Sequence, residues 1–562
     1  MKNKIKLRVI SILTIIAFMG CEDVFEPQID NRRNTEDLFS DPVLAEGILL
    51  GVYNSIPAPL LDLSSVATDD AVTNDLNNNF LRMATGEWSA IFNPIGSFNN
   101  SFDKINRINY FLSFVDEVQW TSEDEERNEL FKKRFKGEAY ALRTIYNFDI
   151  LKKHGGIATN GEILGQPISD EYINIDNDYK LSRSSYDEVY QFIIDDCTLA
   201  ESLLVDEYSI NNPSSVNSAQ YKNRISGNIV RALKARYALH AASPSFNNGN
   251  SNINRMQDAA IYAAEALDVI GGLAGLDNGG TKFYDSNDDQ NRAEILWRLD
   301  PINNRTLEKN NYPPSLFGNG DVNPTQNLVD AFPDSNGFPL NQSTTYDIQN
   351  PYENRDPRLK NYIIYDGANF AGTTIHTDND DPNNIDGLNN SQFSTRTGYY
   401  LKKMLRPDVN LNPNILNTQR HFNVLIRYTE LFLIFSEAAN EAWGPDTPAP
   451  GVSYTARDVI SAIRNRAGIN DLYLSTITSR ENMRNLIRNE RRLELCFEGF
   501  RFWDIRRWGL TLNETAKGVN ISNNIHSEIE VEIRDYEDFM KYGPIPFNEV
   551  LKNENMLQNI NW

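Results

Sequence analysis

The stretch that decides the fold runs from Ile426 to Asn440 and reads IRYTELFLIFSEAAN. Its apolar residues recur every three or four positions and form one stripe: Tyr428, Leu431, Phe432, Phe435, Ala438 and Ala439. This spacing is typical of an amphipathic helix, and Trp443, Gly444 and Pro445 end it. Alanines that alternate with aromatic rings let a neighbouring helix approach closely while each ring fills a gap. We therefore predict stacked helix pairs.

Three further segments have the same texture, and each is followed by residues that stop a helix. They are Phe135, Ala139, Leu142, Tyr146 and Ile150 before Gly155 and Gly156; Ile229, Leu233, Tyr237 and Ala241 before Ser243 and Pro244; and Ala259, Tyr262, Ala263, Ala266, Leu267 and Ile270 before Gly271 and Gly272. Strand-like alternation is scarce. The sequence predicts a mainly α protein, a single large helical domain with tetratricopeptide-like helix pairs, although no strict 34-residue period is visible.

The N-terminus predicts export. Four basic residues, Lys2, Lys4, Lys6 and Arg8, precede an apolar run of eleven residues that contains no acid. That run is shorter than the roughly 20 residues that span a bilayer, so residues 1–20 are read as a signal peptide. Gly20 directly before Cys21 resembles the lipobox of bacterial lipoproteins, with Phe18 in place of the usual leucine. We expect Cys21 to be lipidated and residues 21–34 to form a polar tether; the alternative is an ordinary secretory signal.

The charge of the chain narrows the classes of ligand. The formal net charge is −23, and removal of the four basic residues of the signal peptide leaves −27. Such a surface repels phosphate backbones, which argues against nucleic acid as a partner. Cys197 and Cys496 lie among apolar residues and are predicted to be buried free thiols.

Composition divides the mature chain into three parts. Residues 35–272 form an N-terminal helical half, and residues 421–562 form a C-terminal helical part with a tail. Between them, residues 273–420 are rich in Asn, Asp, Gly and Pro. A structureless loop of that length is improbable, so we predict a loop-rich variable lobe with a few short strands. Residues 273–562 together make up the C-terminal half.

Several stretches in one order resemble the SusD/RagB family. They are Arg143–Gly156 (RTIYNFDILKKHGG), Arg231–Pro244 (RALKARYALHAASP), Asn323–Phe332 (NPTQNLVDAF), Asn354–Leu359 (NRDPRL), Ile426–Asn440, Arg464–Gly468 (RNRAG), Arg488–Trp508 (RNERRLELCFEGFRFWDIRRW) and Pro544–Trp562 (PIPFNEVLKNENMLQNINW). Together they cover nearly the whole mature chain.

The resemblance implies a lipoprotein of the outer membrane that faces the cell exterior. It implies a lid for a SusC-like TonB-dependent transporter, which captures an oligosaccharide or polysaccharide without cleaving it. Two alternatives stay open: import of peptides by a RagB-like protein of the same fold, and a surface glycoside hydrolase.

Two loop stretches combine aromatic and planar polar side chains, the mixture that suits sugar rings and their hydroxyls. They are Asn77–Trp88 (NNNFLRMATGEW) and Tyr312–Phe317 (YPPSLF). We expect Trp88, Tyr312 and Phe317 to stack on a glycan, as the resemblance also implies by position. Asn78 and Arg82 would supply hydrogen bonds. The alternative for the rings is packing in the core.

The motif Arg488–Trp508 is predicted to be a helix that begins at a capping box of Thr478 and Glu481. Its carboxylates Glu490, Glu494 and Glu498 are expected to pair with Arg501, Arg506 and Arg507 in a structural role. Glu494 and Glu498 form a candidate catalytic pair, but arginine neighbours would keep both ionised, whereas a general acid needs a raised pKa.

Other acidic residues suggest weaker hypotheses. Asp69 and Asp70 are expected to cap a turn or bind a hydroxyl. Asp285–Asp289 (DSNDD) and Asp378–Asp381 (DNDD) resemble calcium loops, yet neither completes the EF-hand pattern, so structural calcium is the less favoured alternative. The histidines show no metal-ligand spacing. No cofactor is predicted.

Overall fold

The computed structural model describes residues 39–122, 124–174, 180–209, 215–285 and 293–562. The predicted signal peptide (1–20), the lipidation site Cys21 and the tether (21–34) lie outside these ranges.

Helices dominate the described chain. In chain order they are α1 Pro42–Tyr53, α2 Asn79–Arg82, α3 Phe98–Phe114, α4 Glu125–His154, α5 Tyr186–Leu203, α6 Gly227–Ala241, α7 Ile253–Asp268, α8 Thr306–Asn311, α9 Gln326–Ala331, α10 Pro357–Tyr362, α11 Tyr428–Trp443, α12 Ala456–Ala467, α13 Arg480–Glu494, α14 Arg501–Trp508 and α15 Phe547–Lys552. The four stripes read from the sequence lie in α4, α6, α7 and α11, and Gly155 and Gly444 follow α4 and α11 as predicted.

The long helices pack in series, which confirms the prediction of a mainly α fold built from stacked helices. The contacts run from α1 to α3, α4, α5, α6 and α7, and α7 then meets α11, which also contacts α12 and α13. Small residues permit the close approach: Ala259, Ala260, Ala263 and Ala266 of α7 are buried against α6 and α11. One continuous hydrophobic core follows this helical scaffold.

The strands are short and pair only in twos within the described ranges, always antiparallel. They are β1 Ala71–Thr73 with β6 Val322–Pro324; β2 Gly156–Ile157 with β3 Ile163–Leu164; β4 Ile295–Arg298 with β12 Val424–Arg427; β5 Ile302–Asn304 with β11 Gln419–His421; β7 Ile363–Ile364 with β10 Tyr400–Leu401; β8 Ala368–Phe370 with β9 Thr373–Ile375; and β13 Ala516–Ser522 with β14 Ile525–Glu532. Between 273 and 420, α8, α9 and α10 have six residues each. The predicted boundaries of the three parts remain predictions.

The motif Arg488–Trp508 is two helices and not one. The cap of α13 is Ser479, whose side chain accepts from the Asn482 N–H, so the predicted capping box was one residue too early. After α13 ends at Glu494, Phe497 and Gly499 adopt left-handed φ values of 65° and 82° and turn the chain into α14. A Cβ on Gly499 would come within 2.5 Å of Asp62 Oδ2, so this turn requires glycine.

No single helix among the described residues has both the length and the apolarity of a membrane span. The bent pair Ile253–Asp268 and Gly272–Asp285 meets these measures only when its two parts are taken together.

Candidate functional site

Four loop segments meet at one end of the β1–β6 pair: 74–82, 315–321, 385–396 and 531–535. We call this surface the loop face. The Asn74 side chain ties the first three together, because its Nδ2 donates to the Asn319 carbonyl at 2.8 Å and to the Ser394 carbonyl at 3.4 Å. Arg396 Nη1 donates to the Thr73 carbonyl at 2.7 Å and to Glu532 Oε2 at 3.0 Å, which adds the fourth segment.

The loop face exposes apolar side chains among amides. Phe317 is 55% exposed and Phe393 is 42% exposed, and Leu76, Ile385 and Ile533 are also exposed. Phe317 has a left-handed φ of 65°, which places it on a tight turn at the end of a helical turn. The segments of the loop face also contain asparagines at 77, 78, 389 and 390. Exposed flat rings beside amides suit the apolar faces and hydroxyls of sugar rings.

Two of the predicted stacking rings lie in the core. Trp88 is 6% exposed; its Nε1 donates to Asn93 Oδ1 at 3.0 Å, and its ring meets Trp562 edge-on with centroids 4.8 Å apart. Tyr312 is 1% exposed and its hydroxyl donates to the Arg406 carbonyl. Neither ring offers an open face, so the prediction that Trp88 and Tyr312 stack on a ligand is corrected.

The other three predicted residues lie on the loop face. Asn78 Oδ1 caps α2 by accepting from the Phe80 N–H at 2.9 Å, so its oxygen is already used. Arg82 Nη2 donates to Glu87 Oε2 at 2.6 Å, and the guanidinium lies 4.3 Å from the Phe92 ring centroid. Phe317 presents an open ring. Contact of Asn78, Arg82 and Phe317 with a glycan remains a prediction.

Sequence reasoning missed Phe393 and Asp321. Phe393 follows Asn389, Asn390 and Ser391, a polar run of the same kind as the stretches that were chosen, so the same composition rule would have found it. Asp321 gives no such signal, because its importance comes from a neighbour that is distant in sequence.

Asp321 lies beside Asp75 on the loop face, where the Asn74 N–H donates to the Asp321 carbonyl at 3.2 Å. Partial burial is the main cause that raises the pKa of Asp321 to about 6, and the negative charge of Asp75 adds to the effect. Asp75 is exposed and its Oδ1 accepts from the Asn77 N–H at 3.0 Å. The loop face therefore holds two neighbouring carboxyl groups in different environments.

Replacing Asp321 by asparagine should stabilise the protein at pH 8 and leave it unchanged at pH 4. The pKa of the folded state lies above that of the unfolded state, so stability is present while the group is protonated and is lost as the pH rises through about 6. Because the carboxyl is partly exposed, we expect a gain of no more than about 1 kcal/mol. Melting temperatures of Asp321→Asn and wild type, recorded between pH 4 and pH 8, measure this gain in stability. A difference in melting temperature that stays the same at every pH would contradict the prediction.

A buried group of charges joins the variable lobe to the helical scaffold, and we call it the ionic core. Its members are Glu294, Asp356, Arg358, Lys403, Arg427, Arg464, Arg466, Glu490, Glu494 and Glu498. Glu494 contacts Arg466 at 2.7 Å, Arg358 at 3.0 Å and Arg427 at 3.2 Å. Glu498 contacts Lys403 and Arg427, both at 2.7 Å.

The ionic core is unsuited to acid catalysis. Burial alone would raise the pKa of Glu494, but Arg466, Arg427 and Arg358 hold that pKa well below its usual range. Burial likewise opposes ionisation of Glu498, yet Arg427 and Lys403 lower its pKa. A glycosidase acid needs the opposite shift. As expected, both carboxylates are paired with buried cations.

The prediction that the carboxylates of this motif pair with Arg501, Arg506 and Arg507 is wrong. Arg501 pairs with Asp69 at 2.7 Å, Arg507 pairs with Glu437 at 2.6 Å, and the Arg506 guanidinium lies 3.5 Å from the Phe502 ring centroid. Glu490, Glu494 and Glu498 instead pair with cations from other segments, such as Arg358 and Arg427.

Asp69 and Asp70 also differ from expectation. Both are buried, Asp69 against Arg501 and Asp70 against Arg492 Nε at 2.7 Å. They fasten the strand before the loop face to α13 and α14, and they neither cap a turn nor meet solvent.

In the acidic stretch Asp378–Asp381, two carboxylates accept hydrogen bonds from backbone N–H groups. Asp380 Oδ1 accepts from the Asn523 N–H at 2.9 Å, and Asp381 Oδ1 accepts from the Asn383 N–H at 2.8 Å, so both bind backbone. Asp378 lies with Asp366 and His376 in a group whose possible ligand atoms are within 4.8 Å of one another. Three ligands, one of them an imidazole, are fewer than the six to eight oxygens that calcium takes. Of the other stretch, Asp285 is described and residues 286–289 lie outside the described ranges.

Three basic residues that are close in sequence, Arg396, Lys402 and Lys403, do not form a cluster on the surface. Lys403 is buried in the ionic core, and Lys402 Nζ donates to the Lys360 carbonyl at 2.7 Å. Arg396 is bound to Thr73 and Glu532, as described above. Cys197 and Cys496 are buried free thiols, as predicted.

Models of known protein families match segments in both halves of the chain. The family model described as "SusD family" matches residues 274–562, and the model described as "Starch-binding associating with outer membrane" matches residues 36–224. SusD-like protein P38 of Formosa agariphila is 24% identical over 508 residues, which cover 87% of this chain and 82% of that protein.

Solved structures share the fold. A SusD-like protein from Bacteroides fragilis aligns with a TM-score of 0.74 at 23% identity and covers 94% of this chain and 99% of its own. A SusD-like carbohydrate binding protein from the same organism aligns with a TM-score of 0.72 at 21% identity, covering 92% and 99% of the two chains.

Proposed function

Because this chain belongs to the SusD family, we propose that it is a non-catalytic glycan-binding lipoprotein that captures oligosaccharide or polysaccharide at its loop face. In this proposal it acts as the lid of a SusC-like TonB-dependent transporter and releases intact ligand inward. Affinity would come from stacking on exposed rings and from hydrogen bonds to hydroxyls, with no bond broken.

The observation that carries the proposal is the pair of exposed rings, Phe317 and Phe393, held on separate loops of one face. Their segments are tied to β1 and β6 by Asn74 and Arg396, so the rings are presented on a fixed support. A preorganised aromatic surface loses less conformational entropy on binding than mobile loops would. The description of one structural neighbour as carbohydrate binding, and of one family model as starch-binding, supports the same class of ligand.

The N-terminal motif and the family both support a location at the outer membrane. We propose that Cys21 carries the lipid and anchors the protein at the outer membrane, facing the exterior. Substituting Cys21 by serine should release the protein from sedimented membranes. Continued sedimentation of Cys21→Ser with the outer membrane would contradict the anchor.

Screening the purified full chain against a glycan array and a peptide library tests the ligand class. We expect binding of one or a few related glycans and of no peptide. A peptide bound with no glycan bound would favour the RagB-like alternative of peptide import.

A second candidate function, a surface glycoside hydrolase, is favoured by one observation. Asp321 has a raised pKa beside the carboxylate of Asp75, and a protonated and an ionised carboxyl are the pair that glycosidases use. Asp75, however, lies exposed on an open surface and caps a turn. Incubating the array's bound glycan with wild type and Asp321→Asn, followed by mass spectrometry of products, distinguishes the two: cleavage by wild type alone would establish the hydrolase.

A further inference from the structure

A cleft lies beside the helical scaffold. It consists of two cavities of about 240 and 480 Å³ that share lining residues, among them Asp62, Phe148, Lys152, Arg236 and Trp503. We call it the Lys152 cleft. Phe80, a residue of the loop face, is among its lining residues. Its size is that of small-molecule sites, which are mostly apolar with a few convergent polar groups.

Lys152 is the unusual residue of this cleft. Its Nζ lies 4.5 Å from the Trp503 ring centroid and 5.9 Å from that of Phe148. Within the described chain no carboxylate oxygen comes within 4.0 Å of it, since the nearby Asp149 pairs with Lys153 at 2.7 Å. The other cations that line the cleft form ion pairs with carboxylates; Arg236, for example, pairs with Glu430 at 2.7 Å.

The charges that face Lys152 leave room for an anion. Burial lowers the pKa of Lys152 to about 8; Asp149 and Asp62 favour its charged form, and Lys153 and Arg236 oppose it. Arg427 pairs with Glu498 at 2.7 Å and Arg507 pairs with Glu437 at 2.6 Å, so among the described residues Lys152 is the lining cation that has no carboxylate within 4.0 Å. A ligand with one negative charge would balance it.

We propose that the Lys152 cleft is a second binding site, distinct from the loop face, for a small organic carboxylate. The carboxylate accepts from Lys152 Nζ, and the ligand's apolar body packs against Trp503 and Phe148. A neutral sugar would bring no charge to balance that of Lys152.

Isothermal titration calorimetry of the purified full chain tests this with benzoate and glucuronate, each against its neutral counterpart, benzyl alcohol and glucose. We expect at least one carboxylate to bind and its neutral counterpart to bind at least tenfold more weakly. Lys152→Met should lower the affinity at least tenfold, whereas Lys152→Arg and the control Lys133→Met, on the exposed side of the same helix, should change it less than threefold. Binding of neither carboxylate, or equal binding of the neutral compound, overturns the proposal.

A measurement on the wild type guards against a variant that folds poorly. Acetic anhydride labelling of Lys152 at pH 8, read by mass spectrometry, should slow at least fivefold at a saturating concentration of the carboxylate, while labelling of Lys133 stays unchanged. Equal labelling of Lys152 with and without ligand overturns the assignment of Lys152, whatever the loop face binds.

Discussion

Replacing Glu494 by glutamine is expected to lower the free energy of unfolding by about 3 to 5 kcal/mol. Three buried cations, Arg358, Arg427 and Arg466, converge on this carboxylate at 2.7 to 3.2 Å. Removal of the negative charge leaves these three buried cations with one carboxylate fewer in a region of low dielectric, and breaking a buried ion pair from one side is strongly destabilising. Guanidinium chloride unfolding followed by circular dichroism measures the loss.

A matched control is Glu353→Gln. Glu353 pairs with Lys360 at 3.0 Å, but both side chains are largely exposed, so water and salt screen the pair. We expect the control to unfold at the wild-type denaturant concentration. If Glu494→Gln behaved like Glu353→Gln, the ionic core would not hold the lobe to the scaffold as described.

Removing both exposed rings, as Phe317→Ala with Phe393→Ala, should weaken glycan binding by about tenfold to one hundredfold. A well-placed aromatic contact contributes about 0.5 to 1.5 kcal/mol beyond buried area, and two such contacts together give an effect of this size. Because both side chains are exposed in the free protein, the melting temperature should change little. Calorimetric titration with a glycan identified on the array measures the affinity.

Tyr172→Ala is the control for this pair. Tyr172 is also an exposed aromatic residue, but it packs against Tyr110 of α3 on the helical scaffold, with centroids 5.0 Å apart. Its removal should leave the affinity unchanged. Equal affinities of the double variant and wild type would place the glycan elsewhere.

The helical scaffold was predictable because its signals are local. The stripe of Tyr428, Leu431 and Phe435 and the stop at Gly444 lie within one continuous stretch of the chain, so periodicity alone locates α11. The break between α13 and α14 was missed, since it depends on the close approach of Gly499 to Asp62, more than four hundred residues away.

The loop face was predictable only in part. Loop composition led to Phe317, which is exposed, and equally to Trp88 and Tyr312, which are buried. Composition does not reveal burial by distant partners: Trp88 is covered by Trp562, and the Tyr312 hydroxyl reaches the Arg406 carbonyl. The partners of Glu494 were missed for the same reason, because Arg358 and Arg427 come from separate segments.

The measurement that tests the central claim most directly follows the glycan itself. The array's bound glycan is mixed with the full chain, the complex is quantified by calorimetry, and the glycan is then recovered and its chain length determined by mass spectrometry. Capture at the loop face without chemistry predicts saturable binding, weakened in the Phe317→Ala, Phe393→Ala variant, and recovery at the original length. Recovery of a shortened glycan would contradict this account, and so would an affinity that is unchanged in the double variant.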